Sequence, residues 1–401
     1  MADDHLFHID EHQWPDIAAA PQPGFRANRQ ARHAESEFSR VAEAAELTIG
    51  PGKDLTILYD TVFYRIAQRG WLGLAEGYAA GEWESDHLTK VLAGLLGANY
   101  RPQHRLAVRA QAMGEPAGIP RRLCELTSPT SSLMIGRFAA GVATTVGKRT
   151  AITAPGEVTR ADVADSQERA ADELLDQANV RSSDRVLELS LGAPMLAAQA
   201  ASRGAKVTVV SPDSAAVGWM RSMELRDIAV ERIANPMPPI DQVARRLSAI
   251  VAADYMVMLS PNQRAQLMRY ADEELAPTGR MALQEFTRTS SPLVDHALQA
   301  TRLYLQPSFD PVSGEEEMAR LAGGTTRLAL AHTTLFAGHI EPTLTVMADQ
   351  FAGAEMLAGA DGFDSVYRRL WAWHLAVLSA LARQRLIGVA QFLFRPLARP
   401  R

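Results

Sequence analysis

Three groups of side chains in this 401-residue chain have the types and spacing to do chemistry. The first is Glu188, Ser190 and Gly192, inside residues 186–213, VLELSLGAPMLAAQAASRGAKVTVVSPD. An acid interrupts an apolar run, a turn with one glycine follows, an alanine-rich helix is expected over 195–202, and Gly204 closes it before a β-branched strand at 206–210. That order is a βαβ unit, in which a ligand lies over the first turn and the helix N-terminus, where backbone N–H groups are unpaired. It points to a nucleotide-like ligand. A nucleotide-binding turn uses several glycines so that backbone can approach the ligand, and here Gly192 stands alone. The second group, His5, His8 and His12, has spacing open to a metal, but nothing around it builds the supporting shell a metal site needs, so no metal is expected. The third is Cys124, which follows Arg121 and Arg122; two cations lower a thiol pKa, whereas burial beside leucines makes it an inert apolar residue.

The elements that must position these groups follow in order. Residues 1–45 are polar, carry Pro15, Pro21 and Pro23, and read as a flexible amino-terminal arm with a helical patch over 34–45. Residues 46–126 read as a small α+β domain: short strands at 47–49 and 55–58 joined through Gly50-Pro51-Gly52, then a helix through Leu88, Val91, Leu92 and Leu95 capped by Ser85 or Asp86. Ahead of that helix, Glu76, Gly77, Tyr78, Gly81, Glu82 and Trp83 suit a helical hairpin with aromatic anchors. Residues 127–157 are low in charge and predict a flexible cover, and an amphipathic helix over 161–178 leads into the central unit. Beyond it the chain alternates: helix 215–227, strand 228–233, a proline-rich loop, helix 240–247, strand 248–253, helix 261–275, a turn at 277–279 and strand 280–286. A long helix over 363–385 and a strand over 386–394 close it. The alternation predicts an α/β chain with a doubly wound, mostly parallel sheet.

The composition, 47% hydrophobic and 22% charged, is that of a globular protein, and the formal net charge of −5 argues against a nucleic-acid partner. A single cysteine excludes internal disulfides and suits a reducing cytoplasm. No apolar run is long enough to cross a bilayer. The cations of residues 98–125 (Arg101, His104, Arg105, Arg109, Arg121, Arg122) and the tail Arg395, Arg399 and Arg401 offer contacts to anionic headgroups, so a peripheral place on the inner face of the membrane is compatible with a cytoplasmic protein.

Three segments together resemble the cyclopropane-fatty-acyl-phospholipid synthase family, whose members are class I S-adenosylmethionine (SAM) methyltransferases acting on unsaturated lipid acyl chains. They are GLAEGYAAGEWESDHLTKVLAGLL (73–96), VLELSLGAP with VTVVSPDS, and GFDSVYRRLWAWHLAVLSALARQRLIGVAQFLF (362–394). The resemblance extends over roughly 47–396 and implies a Rossmann-like SAM-methyltransferase domain over 181–396, with 127–180 as cover segment and linking helix. It implies SAM as cofactor, held by Glu188, Ser190, Gly192, Ser211 and Asn235, the last standing where the family has an acid that recognises adenine. Around that set the family pattern is broken. Ser190, Ala193 and Pro194 replace a glycine, an aromatic and a second glycine. At the positions that hold the family's bicarbonate base, Val257 and Met258 replace an acid and a histidine, Gln284 replaces a histidine, Ile340 a tyrosine and Thr153 a cysteine. No catalytic residue is therefore assigned. The leading expectation is a catalytically eroded relative that binds lipid acyl chains, a membrane surface or an active homologous subunit. The alternative is an active SAM-dependent methyltransferase or cyclopropane synthase on unsaturated phospholipid chains.

Overall fold

The computed structural model describes residues 4–102, 119–191, 195–223, 226–233 and 246–397. The chain folds as two interleaved units: residues 1–115, 290–307 and 347–386 form one, and residues 116–289, 308–346 and 387–401 the other. The expected linear division at 45, 126 and 180 differs from this, because the long closing helix leaves the sheet domain and packs among the amino-terminal helices.

The first unit is mostly helical, with one two-stranded antiparallel sheet of β1 (Thr56–Ile57) and β2 (Trp83–Glu84). The strand expected at 47–49 makes only a single bridge, Ile49 to Leu55. The expected arm is instead built into this unit. Helix Phe25–Ala44 buries Ala31, Ala34, Phe38 and Val41, one face of a helix, and the Trp14 indole N–H donates to Asp364 at 2.7 Å. Helices Thr61–Arg69 and Trp71–Ala79 form a hairpin around Gly70, at φ 61°. They meet closely at Gly73, where a Cβ would lie 2.1 Å from the Arg65 carbonyl oxygen, so only glycine permits this approach. Helix Leu88–Gly97 starts after His87 with no side-chain cap; Ser85 accepts the His87 N–H instead of closing the helix. Helix Ser365–Arg383 packs on Leu88–Gly97 and Trp71–Ala79 and is capped by Asp364, which accepts the Tyr367 N–H.

The second unit is a nine-stranded sheet, with β3 (Ala143–Val146), β4 (Arg149–Ile152), β5 (Arg185–Leu189), β6 (Lys206–Ser211), β7 (Ile228–Arg232), β8 (Leu247–Ala253), β9 (Leu275–Arg288), β10 (Leu328–Leu335) and β11 (Ile387–Pro396) in the order β3-β4-β10-β11-β9-β8-β5-β6-β7. The run β9-β8-β5-β6-β7 is parallel, and β11 is antiparallel to both β9 and β10. This is the class I methyltransferase architecture. Its central strands are apolar almost throughout because both faces are covered. On one face helix Arg160–Gln177 buries Ala170, Ala171, Leu174 and Leu175; on the other Tyr255, Met256, Leu267 and Phe392 share a second core. Each such large apolar side chain contributes about 1.5–3 kcal/mol on burial.

Two local expectations change here. The flexible cover is ordered: β3 and β4 extend the sheet as a hairpin through Gly147, at φ 60°, and Gln167 donates to the carbonyls of Ser132 and Met134. The turn expected at 277–279 is an irregularity inside β9, since Leu275 pairs with Leu247 and Arg280 with Ala249, which absorbs the extra residues in the register. The helix expected at 240–247 lies largely outside the described residues.

Candidate functional site

Strand β5 pairs with β6 on one side and β8 on the other, so the chain reverses its direction of travel between β5 and β8. In an open α/β sheet a ligand occupies the crevice at the carboxyl ends of strands at such a reversal. Glu188 sits in β5 between Val209 and Val251. Its buried carboxyl accepts the Ala197 N–H, from the first turn of helix Met195–Ser202, and the Ser190 hydroxyl, while Oε2 has no partner among the described residues. Desolvation outweighs both bonds and pushes the pKa up to about 8, so the acid keeps its proton at neutral pH. Ser190 is tied to the next strand through its N–H to Val210 O at 3.0 Å. Ser211 is fully buried at the end of β6, and its Oγ accepts the Asp213 N–H at 3.3 Å. Asp213 caps helix Ser214–Ser222 by accepting the N–H groups of Ala215 and Ala216 at 2.8 and 3.2 Å.

The structure thus gathers Glu188, Ser190 and Ser211 at the carboxyl ends of β5 and β6. Gly192 and Asn235 lie outside the described residues, as do Ala193 and Pro194. The orphaned buried Oε2 of Glu188 and the Ser190 hydroxyl fit the amino-acid end of SAM, which brings an ammonium group to a carboxyl.

The positions that break the family pattern are closed by the chain itself. Gln284, in β9, donates to Ile135 O at 3.0 Å and accepts from the Gln391 amide at 3.1 Å; Gln391 in turn accepts from Gln177 at 2.7 Å. Val257 is buried in the short helix Met256–Met258, and Ile340 is buried at the start of helix Ile340–Gly353. His339, just before it, accepts the Phe138 N–H on Nδ1 at 3.0 Å and donates from Nε2 to Thr153 O at 2.8 Å. Burial lowers its pKa to about 4, so this ring is a neutral staple for the segment once expected to be mobile. Cys124 is no activated thiol, because burial pushes it up to about 12, against the opposing charge of Arg121. At the amino terminus His5 stacks on Tyr59, with ring centroids 3.8 Å apart, while His8 and His12 are exposed.

Two acids at this crevice escaped the sequence reading. Asp254 follows the last residue of β8, has a left-handed backbone at φ 54°, donates its N–H to Gln284 O at 2.7 Å, and holds Oδ1 sealed without a partner. Glu285, in the neighbouring β9, is fully buried; Oε1 accepts the N–H groups of Tyr255 and Met256 at 3.2 and 3.0 Å, and Oε2 is sealed without a partner. Burial raises Asp254 to about 8 and Glu285 well above the usual carboxylate range, the Asp254 charge adding to the latter. The available signal was an acid inside a strand predicted to be covered on both faces, as in MALQEF.

No protein-family model matches the chain. It is 23% identical to the tuberculostearic acid methyltransferase UfaA1 of Mycobacterium tuberculosis, over 96% of this chain and 95% of that one. The cyclopropane synthase MmaA2 from Mycobacterium tuberculosis superposes with a TM-score of 0.56 at 16% identity, covering 68% of this chain and 93% of that chain. The mycolic acid cyclopropane synthase CmaA1, solved with SAH and CTAB, gives 0.56 at 14% identity, with 68% and 93% covered. The chain has a class I methyltransferase fold, similar to that of the cyclopropane synthases. In this cyclopropane-synthase-like chain, the carboxyl ends of β5, β8 and β9 carry three buried or half-buried acids, and the interior behind them is tied by glutamines. Among the described residues, no helix is long and apolar enough to cross a membrane.

Proposed function

We propose that the chain is a SAM-dependent enzyme of lipid modification that adds a one-carbon unit to unsaturated acyl chains. The observation that carries this reading is the end-to-end correspondence with a fatty-acid methyltransferase, 96% of one chain against 95% of the other. Glu188 and Ser190 would hold the amino-acid end of SAM, with Ser211 beside them. When bound, SAM supplies a methyl group on a cationic sulfur. The chain's own share is to orient that group, keep water out of an interior lined by apolar strands, and accept a proton. The acyl substrate places the protein at a lipid surface, met through the cations of residues 101–122 and the tail.

A second reading, an eroded chain that binds lipid or an active homologous subunit, draws on Gln284, whose amide is engaged at both ends by Ile135 and Gln391. Titration of the purified chain with SAM in a calorimeter separates the two. Micromolar binding supports the enzyme; heat no larger than dilution, together with binding to vesicles of unsaturated phospholipid, supports the binder.

A further inference from the structure

We infer that Asp254 is the proton acceptor of this site and that Glu285 is its positioning residue. The inference rests on the methyl-transfer reading above. When the π pair of a carbon–carbon double bond takes a methyl group from a sulfonium, a C–C bond forms, the C–S bond breaks with its pair left on sulfur, and the second alkene carbon becomes cationic. A neutral product then requires one C–H bond to give its pair to that carbon and its proton to a base. The base must be an ionisable group at the carboxyl ends of the central strands.

Asp254 meets that requirement by place. It directly follows β8, where Ala252 pairs with Leu189, so it lies beside the end of the strand that carries Glu188. It is half-buried, whereas Glu285 is wholly enclosed, so Asp254 is the more accessible of the pair, through the carboxyl oxygen other than the sealed Oδ1. Its left-handed backbone is a strained conformation for a residue other than glycine, of the kind that persists where surroundings impose it, often at sites of function. Glu285 accepts the amides of Tyr255 and Met256 and so fixes the two residues that follow Asp254, which holds the turn that presents it. Two further groups face the pair. Tyr255 is itself buried, with its proton held by burial. Arg264, reaching in from helix Pro261–Glu274, donates to Met256 O at 3.1 Å and pairs with Glu317 at 2.9 Å, so its charge is already met.

The test uses the full chain and its Asp254→Asn and Glu285→Gln variants, with SAM binding measured by calorimetry and transfer from labelled SAM to vesicles of unsaturated phospholipid followed from about pH 6 to about pH 9. At saturating SAM, which removes the pH dependence of binding through Glu188, the wild-type rate should rise with pH and level off above about 8. Asp254→Asn should lose on the order of 100-fold or more in transfer while SAM affinity stays within about threefold. Glu285→Gln keeps an acceptor for both amides and should hold transfer within about threefold of wild type, whereas a further Glu285→Ala variant removes it and should lower the rate at saturating SAM while SAM affinity stays unchanged, a loss in kcat alone that general destabilisation would not give. Infrared titration, which needs no turnover, should show protonated carboxyl absorption titrating near pH 8 from both Glu188 and Asp254 in wild type, reduced by one group's share in Asp254→Asn. Transfer by Asp254→Asn within threefold of wild type, or a wild-type profile flat in pH, overturns the base while leaving the enzyme. A wild type that neither binds SAM nor transfers overturns both. Should Asp254→Asn fail to fold, the wild-type profile at saturating SAM and the Glu285→Ala rate still decide.

Discussion

Buried acids occur in both units, and they are handled in opposite ways. In the helical unit each has an arginine. Glu82, fully buried, pairs with Arg65 at 2.8 Å, and that guanidinium also donates to the carbonyls of Ile17 and Asp16. Glu76 pairs with Arg69 at 3.0 Å and accepts the Tyr304 hydroxyl at 2.6 Å, although burial still lifts it to about 7. In the sheet unit, among the described residues, Glu188 and Glu285 accept hydrogen bonds only from N–H or hydroxyl donors, with the Arg264 charge acting on Glu285 without a direct ion pair, and Asp254 holds a sealed oxygen with no donor. An unpartnered oxygen does not by itself separate the groups, since Glu76 and Glu82 each leave one as well. The cation does. An acid neutralised by a buried arginine anchors the fold, here by fixing the first residues of the chain. An acid left without one at the mouth of a parallel sheet is poised to meet a charge or proton that arrives later.

The largest effect should come from removing one of those arginines. Arg65→Met keeps most of the volume but leaves Glu82 buried without its counter-charge and releases the Asp16 and Ile17 carbonyls. A loss of about 3–5 kcal/mol is expected from denaturant unfolding. A loss under about 1 kcal/mol would mean that the acids of this unit are no better neutralised than those of the sheet, and the contrast would collapse.

A smaller and more specific effect concerns Glu188. Its raised pKa means that below about pH 8 the free protein holds a proton there, whereas a bound ammonium group favours the ionised form. Binding must then release that proton. SAM affinity should rise by up to about tenfold per pH unit as pH approaches 8 and level off beyond it. Glu188→Gln should flatten that slope and lower the affinity at high pH, with little change in melting temperature. Calorimetry in buffers of different ionisation heat counts the proton directly, and a count of zero in wild type would place Glu188 outside the ligand's reach.

The same division explains what the sequence made legible. The βαβ unit could be read almost to the residue, with helix Met195–Ser202 as expected and β5 and β6 each extended by one, because buried parallel strands are apolar runs and Gly204 marks the helix end. Residues 287–362 could not. Strand β10, LALAHTTL, is half-exposed over Ala329–His332 and lacks a continuous apolar run, and helices such as Pro292–Ala297 are too short to show a period. At the site, Glu188 and Ser190 were visible because they flank a recognisable turn. Asp254 and Glu285 come together only through the pairing of β8 with β9, which no local pattern reports. The closing helix and strand lie side by side in sequence but belong to different units, since the helix Ser365–Arg383 has its apolar stripe against other helices and β11 fills a place between β9 and β10.

The smallest expected effect is at the lipid surface, where the buried-acid contrast has an outer counterpart in cations that are engaged and cations that are not. Arg121 lies over the Trp219 ring, 3.8 Å from its centroid, and pairs with Glu125; Arg122 also reaches Glu125, at 3.2 Å. Arg101 is exposed and, among the described residues, donates to a neutral neighbour, Asn99, at 2.9 Å. With the net charge at −5, attraction to an anionic vesicle depends on local cations, each worth about 1 kcal/mol and screened beyond about 8 to 10 Å. Changing Arg101, Arg105, Arg109, Arg121 and Arg122 together to glutamine should sharply reduce co-sedimentation with anionic vesicles, and rising salt should have the same effect. Changing Arg121 and Arg122 alone should reduce it only slightly, because their charge is already shared with Glu125. Equal losses from this pair and from the full set would place the lipid contact at helix Arg121–Thr127; binding indifferent to all five would leave the stretch an ordinary solvated surface.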